Sequence, residues 1–393
     1  MTLSQAPKTV LQVIPSLQTG GAEKTAVDIA AKLVETGWRS IVASQGGRLV
    51  DQLVEGGSEH VHLPLDTKNP IQMLINAVRL VRIIRSQGVD LVHARSRGPA
   101  WSALWAARWC DIKFVTTYHG AYSQKNRLKA WYNSVMARAD RVIANSAWTA
   151  DLIKARRPAA TERIRIIHRG TDFSDFDPKT IDPARTARMA DLWGIADHDR
   201  REKDIVLLMG RLSPIKGQKT VIDAAGDVLK RHPNTLFVLA GDDRDRAEYV
   251  TELRQLIAAS NLSTKVLLPG HCDDPAAAMA IADIVLSAST RPEAFGRTIV
   301  EAEALNKPVI VTDIGATAET VLGRHEVGPD DYSGWKILPG DPSDLARALD
   351  EALSMTKAQR EIVGKRGRGH VLPRFSLEQM CEKTINTYRE LLY

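Results

Sequence analysis

Short apolar runs alternating with amphipathic stretches of helical length set the rhythm of this chain. The first run, Val10-Leu11-Gln12-Val13-Ile14, reads as a buried parallel strand, and Gly20-Gly21 then opens a helix over residues 22–36. The same unit recurs, with strands at 40–43, 90–93, 113–116 and 141–144 and helices at 72–85, 101–109 and 125–139. A polar stretch rich in Asp and Pro, residues 171–203, interrupts the alternation and holds one helix near residues 183–192. Strands then return at 204–209, 236–240, 265–268, 283–286, 308–311 and 335–338, with helices at 218–231, 247–260, 275–282 and 296–305 between them. Such alternation predicts two α/β domains of the doubly wound kind, each a parallel sheet with helices on both faces. The boundaries expected are 1–172 for the first domain and 173–375 for the second. Residues 376–393 form a long amphipathic helix expected to pack back on the first.

A chain of 393 residues exceeds what one hydrophobic core sustains, which agrees with two domains. Hydrophobic residues at 44% and charged residues at 25% exclude a disordered chain. Cys110, Cys272 and Cys381 are odd in number and widely spaced, so neither a disulfide framework nor a zinc site is expected. Residues 1–8 do not read as a signal peptide, and no apolar run approaches the roughly 20 residues that span a bilayer. A cytoplasmic, non-integral protein in a reducing compartment is the expectation. Charge is uneven: residues 1–200 carry 28 Lys and Arg against 19 Asp and Glu, +9, and the remainder 25 against 28, −3. A basic first half suits an anionic partner. The basic excess is diffuse and no nucleic-acid-binding motif accompanies it, so nucleic acid is not expected.

The most specific constellation is Arg291-Pro292-Glu293-Ala294-Phe295-Gly296-Arg297-Thr298-Ile299-Val300-Glu301, which sets one carboxylate in a loop and a second eight residues on, in the following helix. The free amides of Phe295, Gly296, Arg297 and Thr298 at a helix start make an anion pocket suited to a diphosphate. Glu301, about one turn farther along, is placed to accept from a diol such as a ribose, and Glu293 from a sugar's hydroxyls. Gly210-Arg211-Leu212-Ser213-Pro214-Ile215-Lys216-Gly217 follows a strand, where open sheets bind ligands, and offers a fork and a point charge to phosphate. Gly217-Gln218-Lys219-Thr220 lacks the upstream glycine of a phosphate loop, which removes an ATPase reading. Gly20-Gly21 is either a bare turn or a second pair of amides for the same diphosphate, and His119 stands just past a strand end.

Together with Gly20-Gly21-Ala22-Glu23, His119-Gly120, Gly241-Asp242, Pro308-Val309 and Gly315 with Glu319, these motifs make nearly the whole chain resemble the GT-B glycosyltransferases of family 4. That retaining group includes lipopolysaccharide-core and phosphatidylinositol mannosyltransferases. The resemblance implies two Rossmann-like domains facing a central cleft, with the nucleotide sugar held mainly by the second. Arg211 and Lys216 would meet its diphosphate, Glu301 its ribose and Glu293 its sugar, while His119 would touch the transferred sugar from the acceptor side. Catalysis would need no metal and no cofactor, and would rest on electrostatic stabilisation and positioning.

Where the family often has Asn-Gly-Val-Asp, this chain reads Arg169-Gly170-Thr171-Asp172, and Arg169 points to an acidic acceptor; the resemblance implies one that is lipid-linked or of the lipopolysaccharide core. Asp274 is the candidate reader of a guanine, which favours GDP-mannose; as the residue before Pro275 it is equally a good helix N-cap, and a UDP-sugar stays open. Lys125, Arg127, Lys129, Trp131, Tyr132 and Arg138, with Arg79, Arg82 and Arg85, predict a peripheral contact with an anionic membrane. Trp101, Trp105 and Trp109 share a face that reads as core. A monomer is expected. The rival classes are a nucleotide-sugar epimerase, an oxidoreductase (disfavoured because no Gly-x-Gly-x-x-Gly follows any strand) and an exported binding protein.

Overall fold

The computed structural model describes residues 7–18, 20–120, 122, 126–242 and 246–393. The chain forms two compact units, Met1–Gly170 with Leu377–Tyr393, and Thr171–Ser376. The first contains β1 (Thr9–Val13), α1 (Gly21–Glu35), β2 (Arg39–Ser44), α2 (Val50–Glu55), β3 (Glu59–His62), α3 (Pro70–Gln87), β4 (Leu91–Ala94), α4 (Arg97–Cys110), β5 (Lys113–Tyr118), α5 (Arg127–Asn133), β6 (Arg141–Ala144), α6 (Ala147–Arg156) and β7 (Ile164–Ile166). The second contains α7 (Pro183–Leu192), α8 (Asp197–Glu202), β8 (Asp204–Met209), α9 (Gln218–Arg231), β9 (Thr235–Ala240), α10 (Ala247–Ala259), β10 (Val266–Gly270), α11 (Pro275–Ile281), β11 (Ile284–Ser287), α12 (Arg297–Ala304), β12 (Val309–Thr312), α13 (Thr317–Thr320), β13 (Gly334–Ile337), α14 (Pro342–Leu353) and α15 (Lys357–Phe375). The last helix, α16 (Leu377–Leu392), belongs to the first unit.

Both sheets are parallel among the described residues, in the orders β3-β2-β1-β4-β5-β6-β7 and β10-β9-β8-β11-β12-β13. Each order reverses once, between β1 and β4 and between β8 and β11, so each domain has a crevice at the carboxyl ends of those strands. The loops that leave these four strands carry most of the candidate residues. Each sheet has apolar layers on both faces. In the first, Leu11, Val92 and Phe114 pack towards α3 and α4, while Val10, Leu91 and Val115 pack towards α1 and α16. In the second, Phe237 and Leu286 face α9 and α14, and Val238 and Val285 face α7 and α11.

Residues expected to form one helix over 125–139 instead give α5 followed by a tighter 3-10 turn at Ser134–Ala137. Four consecutive residues there are buried, which a one-faced α-helix cannot achieve. Lys125 lies outside the described residues. The polar stretch after Gly170 is integral to the second domain: α7 forms over Pro183–Leu192, capped by Asp182, and Met189, Ala190, Trp193 and Ile195 enter that core. The tryptophan face of α4 is graded rather than buried throughout, with Trp101 in the core and Trp109 49% exposed. Among the described residues, no helix is long and apolar enough to cross a membrane.

Candidate functional site

The crevice of the second domain is built by two loops locked together. Gly217 closes the loop after β8 at φ 75°, and a Cβ there would run into the carbonyl oxygen of Ala288 in the loop after β11. Only glycine permits this approach. Lys216, held in a 3-10 turn at Pro214–Lys216, then reaches Glu293, its Nζ 2.8 Å from Oε1. The Ser289 hydroxyl donates to the same oxygen. The backbone of Glu293 is fixed as well, because the Ala316 amide donates to its carbonyl at 3.0 Å and Gly315 pairs with it in a parallel bridge.

Gly296, at φ 78°, turns the chain into α12, leaving no room for a side chain beside Thr317. Phe295 is buried edge-on against Phe375, so it offers the site its backbone amide only. Arg297 is exposed and its Nε lies 3.1 Å from Oε1 of Glu301, one turn along, whose side chain is largely buried. Lys216, Ser289, Glu293, Gly296 and Thr298 line one small pocket with Met209. Ala294 is half-buried between Glu293 and Phe295, and Arg211 is exposed at the end of β8. The arrangement presents a lysine, a carboxylate with one oxygen committed, and the open amides of a helix start, a combination suited to a phosphorylated polyol.

In the first domain Gly20 precedes α1, and the Arg169 guanidinium lies so close over Gly21 that a Cβ there would collide with it. Arg169 and His119 line a pocket with Arg95, Thr117 and Asn145. The Nε2 of His119 is out of reach of solvent and has no hydrogen-bond partner among the described residues. Burial, with Arg95 and Arg169 adding to it, pushes the His119 imidazole down to about 3, so the ring is neutral at working pH and free to exchange hydrogen bonds with a hydroxyl. Arg95, 1% exposed, donates from Nε to Gln12 Oε1 at 2.6 Å and leaves Nη2 without a partner among the described residues. Beneath it the buried His93 ring bonds the Tyr388 hydroxyl at 2.6 Å and Thr117 at 2.7 Å, linking the last helix to the strands under the site.

Asp274, expected to face a base, has partners within the protein. Both of its oxygens are taken by Arg185 in a two-pronged ion pair, and Oδ1 also accepts from the Ala277 amide as the N-cap of α11. Arg185 and the cap hold the carboxyl below its ordinary range against the effect of burial. The carboxylate is thus engaged by Arg185 and the helix cap, with one lone pair of Oδ2 left over. The residues missed from sequence, Arg95, Gln12 and Ser289, follow strands or sit in them at the same crevices; the strand-end rule that found Lys216 also applies to Arg95 and Ser289. Among the described residues no group of three or more His, Cys, Asp or Glu side chains converges as metal ligands.

Two residues beyond Glu301, Glu303 is fully buried, with Oε1 accepting from Ser333 at 2.8 Å and Oε2 unpartnered. Burial raises its carboxyl well above the ordinary value of 4.5. A carboxyl raised on folding favours the native state below its unfolded value, and that contribution is lost as pH rises towards the folded value. Glu303→Gln should therefore melt near wild type at pH 4.5 and progressively higher than wild type as pH rises. A melting difference independent of pH would contradict a neutral, buried Glu303.

Two family models match the chain in tandem, Glycosyltransferase Family 4 over residues 19–175 and Glycosyl transferases group 1 over residues 196–370. A glycosyltransferase crystal structure from Rickettsia africae is 31% identical and superposes with a TM-score of 0.88, covering 99% of each chain. The D-inositol 3-phosphate glycosyltransferase of Salinispora tropica is 29% identical over 78% of this chain and 65% of its own. WaaG, a glycosyltransferase involved in lipopolysaccharide biosynthesis, shares the fold at a TM-score of 0.70, with 16% identity over 96% of this chain and 98% of its own. Two parallel-sheet domains with glycine-shaped crevices, matched along their lengths by these models and structures, make the chain a member of glycosyltransferase family 4, with the GT-B fold.

Proposed function

We propose that the enzyme transfers a hexose, with retention, from a nucleoside diphosphate sugar to an anionic, lipid-linked glycan acceptor of the lipopolysaccharide-core kind. The observation that carries this reading is the Lys216–Glu293 pair at the head of α12, held by two interlocked glycine loops. In this reading Lys216, Arg211 and the amides of residues 295–298 take the diphosphate, Glu301 the ribose and Glu293 the sugar hydroxyls. The bond from the sugar's anomeric carbon to the diphosphate oxygen breaks, and the acceptor hydroxyl oxygen bonds to that carbon on the same face. The hydroxyl proton passes to the departing diphosphate. The cations neutralise the charge that develops there, so the course is metal-independent. Neutral His119 hydrogen-bonds the transferred sugar.

The GDP-mannose expectation rested on Asp274, whose oxygens are occupied by Arg185. A UDP-sugar, whose uracil does not call for a carboxylate, is therefore the favoured donor. Arg169 beside His119 supports an anionic acceptor, as does the likeness to the Salinispora relative named for D-inositol 3-phosphate. The enzyme works as a monomer at the inner face of the cytoplasmic membrane. A thermal-shift panel of UDP- and GDP-sugars tests the donor, because a ligand of the folded state raises its melting temperature. UDP-sugars should stabilise the wild type and leave Lys216→Ala and Glu301→Ala variants unmoved. A shift by GDP-sugars alone would return the donor to guanine, and no shift by either at millimolar concentration would remove the donor reading.

A further inference from the structure

On the first domain, beside its crevice, positive charge and apolar surface lie side by side. Arg127, Arg138, Arg156, Arg157 and Arg163 line a single pocket of about 610 Å³. Among the described residues none of the five forms an ion pair; the neighbouring acids Asp140 and Asp151 are paired with Arg108 and Lys154. Backbone carbonyls hold three of the guanidinium groups in place: Arg156 donates to Tyr122 at 2.7 Å, Arg157 to Ala130, and Arg163 to Ala139 at 2.8 Å. Arg138 lies over the ring of Trp101, which stacks on Trp131 with ring centres 4.7 Å apart. Five like charges fixed around one concavity repel one another until an anion enters.

The walls beside this pocket are greasy. On α5, Leu128 is 80% exposed and Trp131 56%. On α3, Ile71, Leu74, Ile75 and Val78 stand exposed at helical spacing, while Met73, Ala77, Leu80 and Ile84 fill the face turned to α4. A second pocket, of about 510 Å³, opens between α5 and the segment ahead of α3, lined by Lys68 before α3, by Lys129 and Tyr132 of α5, and by Pro15 and Ser96 from the loops after β1 and β4. An apolar stripe bordered by arginines fits the boundary between headgroups and acyl chains, where guanidinium forks grip phosphate and exposed Trp and Leu enter the apolar layer.

We propose that α3 and α5 form a bilayer-docking face and that the five-arginine pocket binds the phosphate of an anionic lipid headgroup. This deepens the reading of a lipid-linked acceptor and does not depend on the donor. Flotation with vesicles of phosphatidylcholine, alone or with 30 mol% phosphatidylglycerol, tests it. The wild type should float with the anionic vesicles and not with the neutral ones. Arg156→Glu/Arg157→Glu should weaken binding at least tenfold. Leu128→Asp, a change at a solvent-exposed position that leaves the core intact, should weaken it too. Both variants should keep the donor-induced rise in melting temperature. Lys113→Glu/Lys383→Glu, which makes the same change in net charge outside the pocket, should bind as wild type does. Absence of binding to anionic vesicles would overturn the proposal, as would an equal loss in Lys113→Glu/Lys383→Glu, which would mean diffuse charge. Release of the protein by millimolar glycerol phosphate would identify a free phosphate site and overturn docking to the bilayer.

Discussion

A Lys216→Ala enzyme should release nucleoside diphosphate about 10²–10³-fold more slowly than wild type at saturating donor, the cost of removing one charge-stabilising donor from a preorganised site. Glu293→Ala should lose turnover on a similar scale. The two residues share a 2.8 Å ion pair, so a purely structural role makes a distinct prediction. If the pair serves only to hold the loops, deleting both partners removes the unpaired charge that each single variant leaves behind, and Lys216→Ala/Glu293→Ala should recover activity relative to either single variant. If both groups touch the donor, the double variant should be no faster than the slower single one. Steady-state kinetics on the three variants, with melting curves to verify folding, separates the cases, and recovery in the double variant would sink the catalytic assignment.

A chain ending at Ser376 should fail to hold its first domain together while the second still melts cooperatively. Helix α16 buries Met380, Cys381, Ile385 and Tyr388 against Val10, Ile29, Leu33, Leu91 and Val115. Each buried side chain contributes roughly 1.5–3 kcal/mol, so the four together rival the ~5–15 kcal/mol that stabilises a whole domain. The loss also strips the Tyr388 hydroxyl from buried His93 and uncovers the sheet beneath Arg95. Calorimetry should show the loss of one transition. Two transitions at their wild-type temperatures would show α16 to be dispensable. Tyr388→Phe should be milder, costing about 1–3 kcal/mol for a buried ring nitrogen left without its partner.

Strands buried on both faces announce themselves as unbroken apolar runs, and for that reason β1, β4, β5, β8 and β9 were legible in the chain. Edge strands β3 and β7 were not, since Glu59-His60-Val61-His62 and Ile164-Arg165-Ile166 carry too little apolar character to separate from loop. Helix α6 is missing from the pattern because its apolar residues define no single face, and α15 because Gly364, Gly367 and Pro373 break its signal. Those glycines have a tertiary reason: Gly364 passes against the Asn306 carbonyl and Gly367 against the Glu303 side chain. The second-domain motif was readable because glycines and carboxylates at fixed spacing sit in one continuous segment. The polar layer of Gln12, His93, Arg95 and Tyr388 was not, since it is assembled from two strand regions and the last helix, with His93 and Tyr388 bonded across 295 residues. Asp274 was ambiguous because one carboxylate before a proline serves a helix cap and a base equally well on paper, and its partner Arg185 stands 89 residues away in the sequence.

Placing α16 in the first domain also dictates the order in which the polypeptide can mature. By the time Gly170 leaves the ribosome, every strand of the first sheet has been made, yet the helix that seals one of its faces is encoded at the far end of the message. At about 5–20 residues per second, the nascent sheet waits on the order of 10–45 s with Val10, Leu91 and Val115 uncovered. The second domain, whose residues are contiguous, is able to close first, and the amino-terminal half is the part of this enzyme most in need of a chaperone.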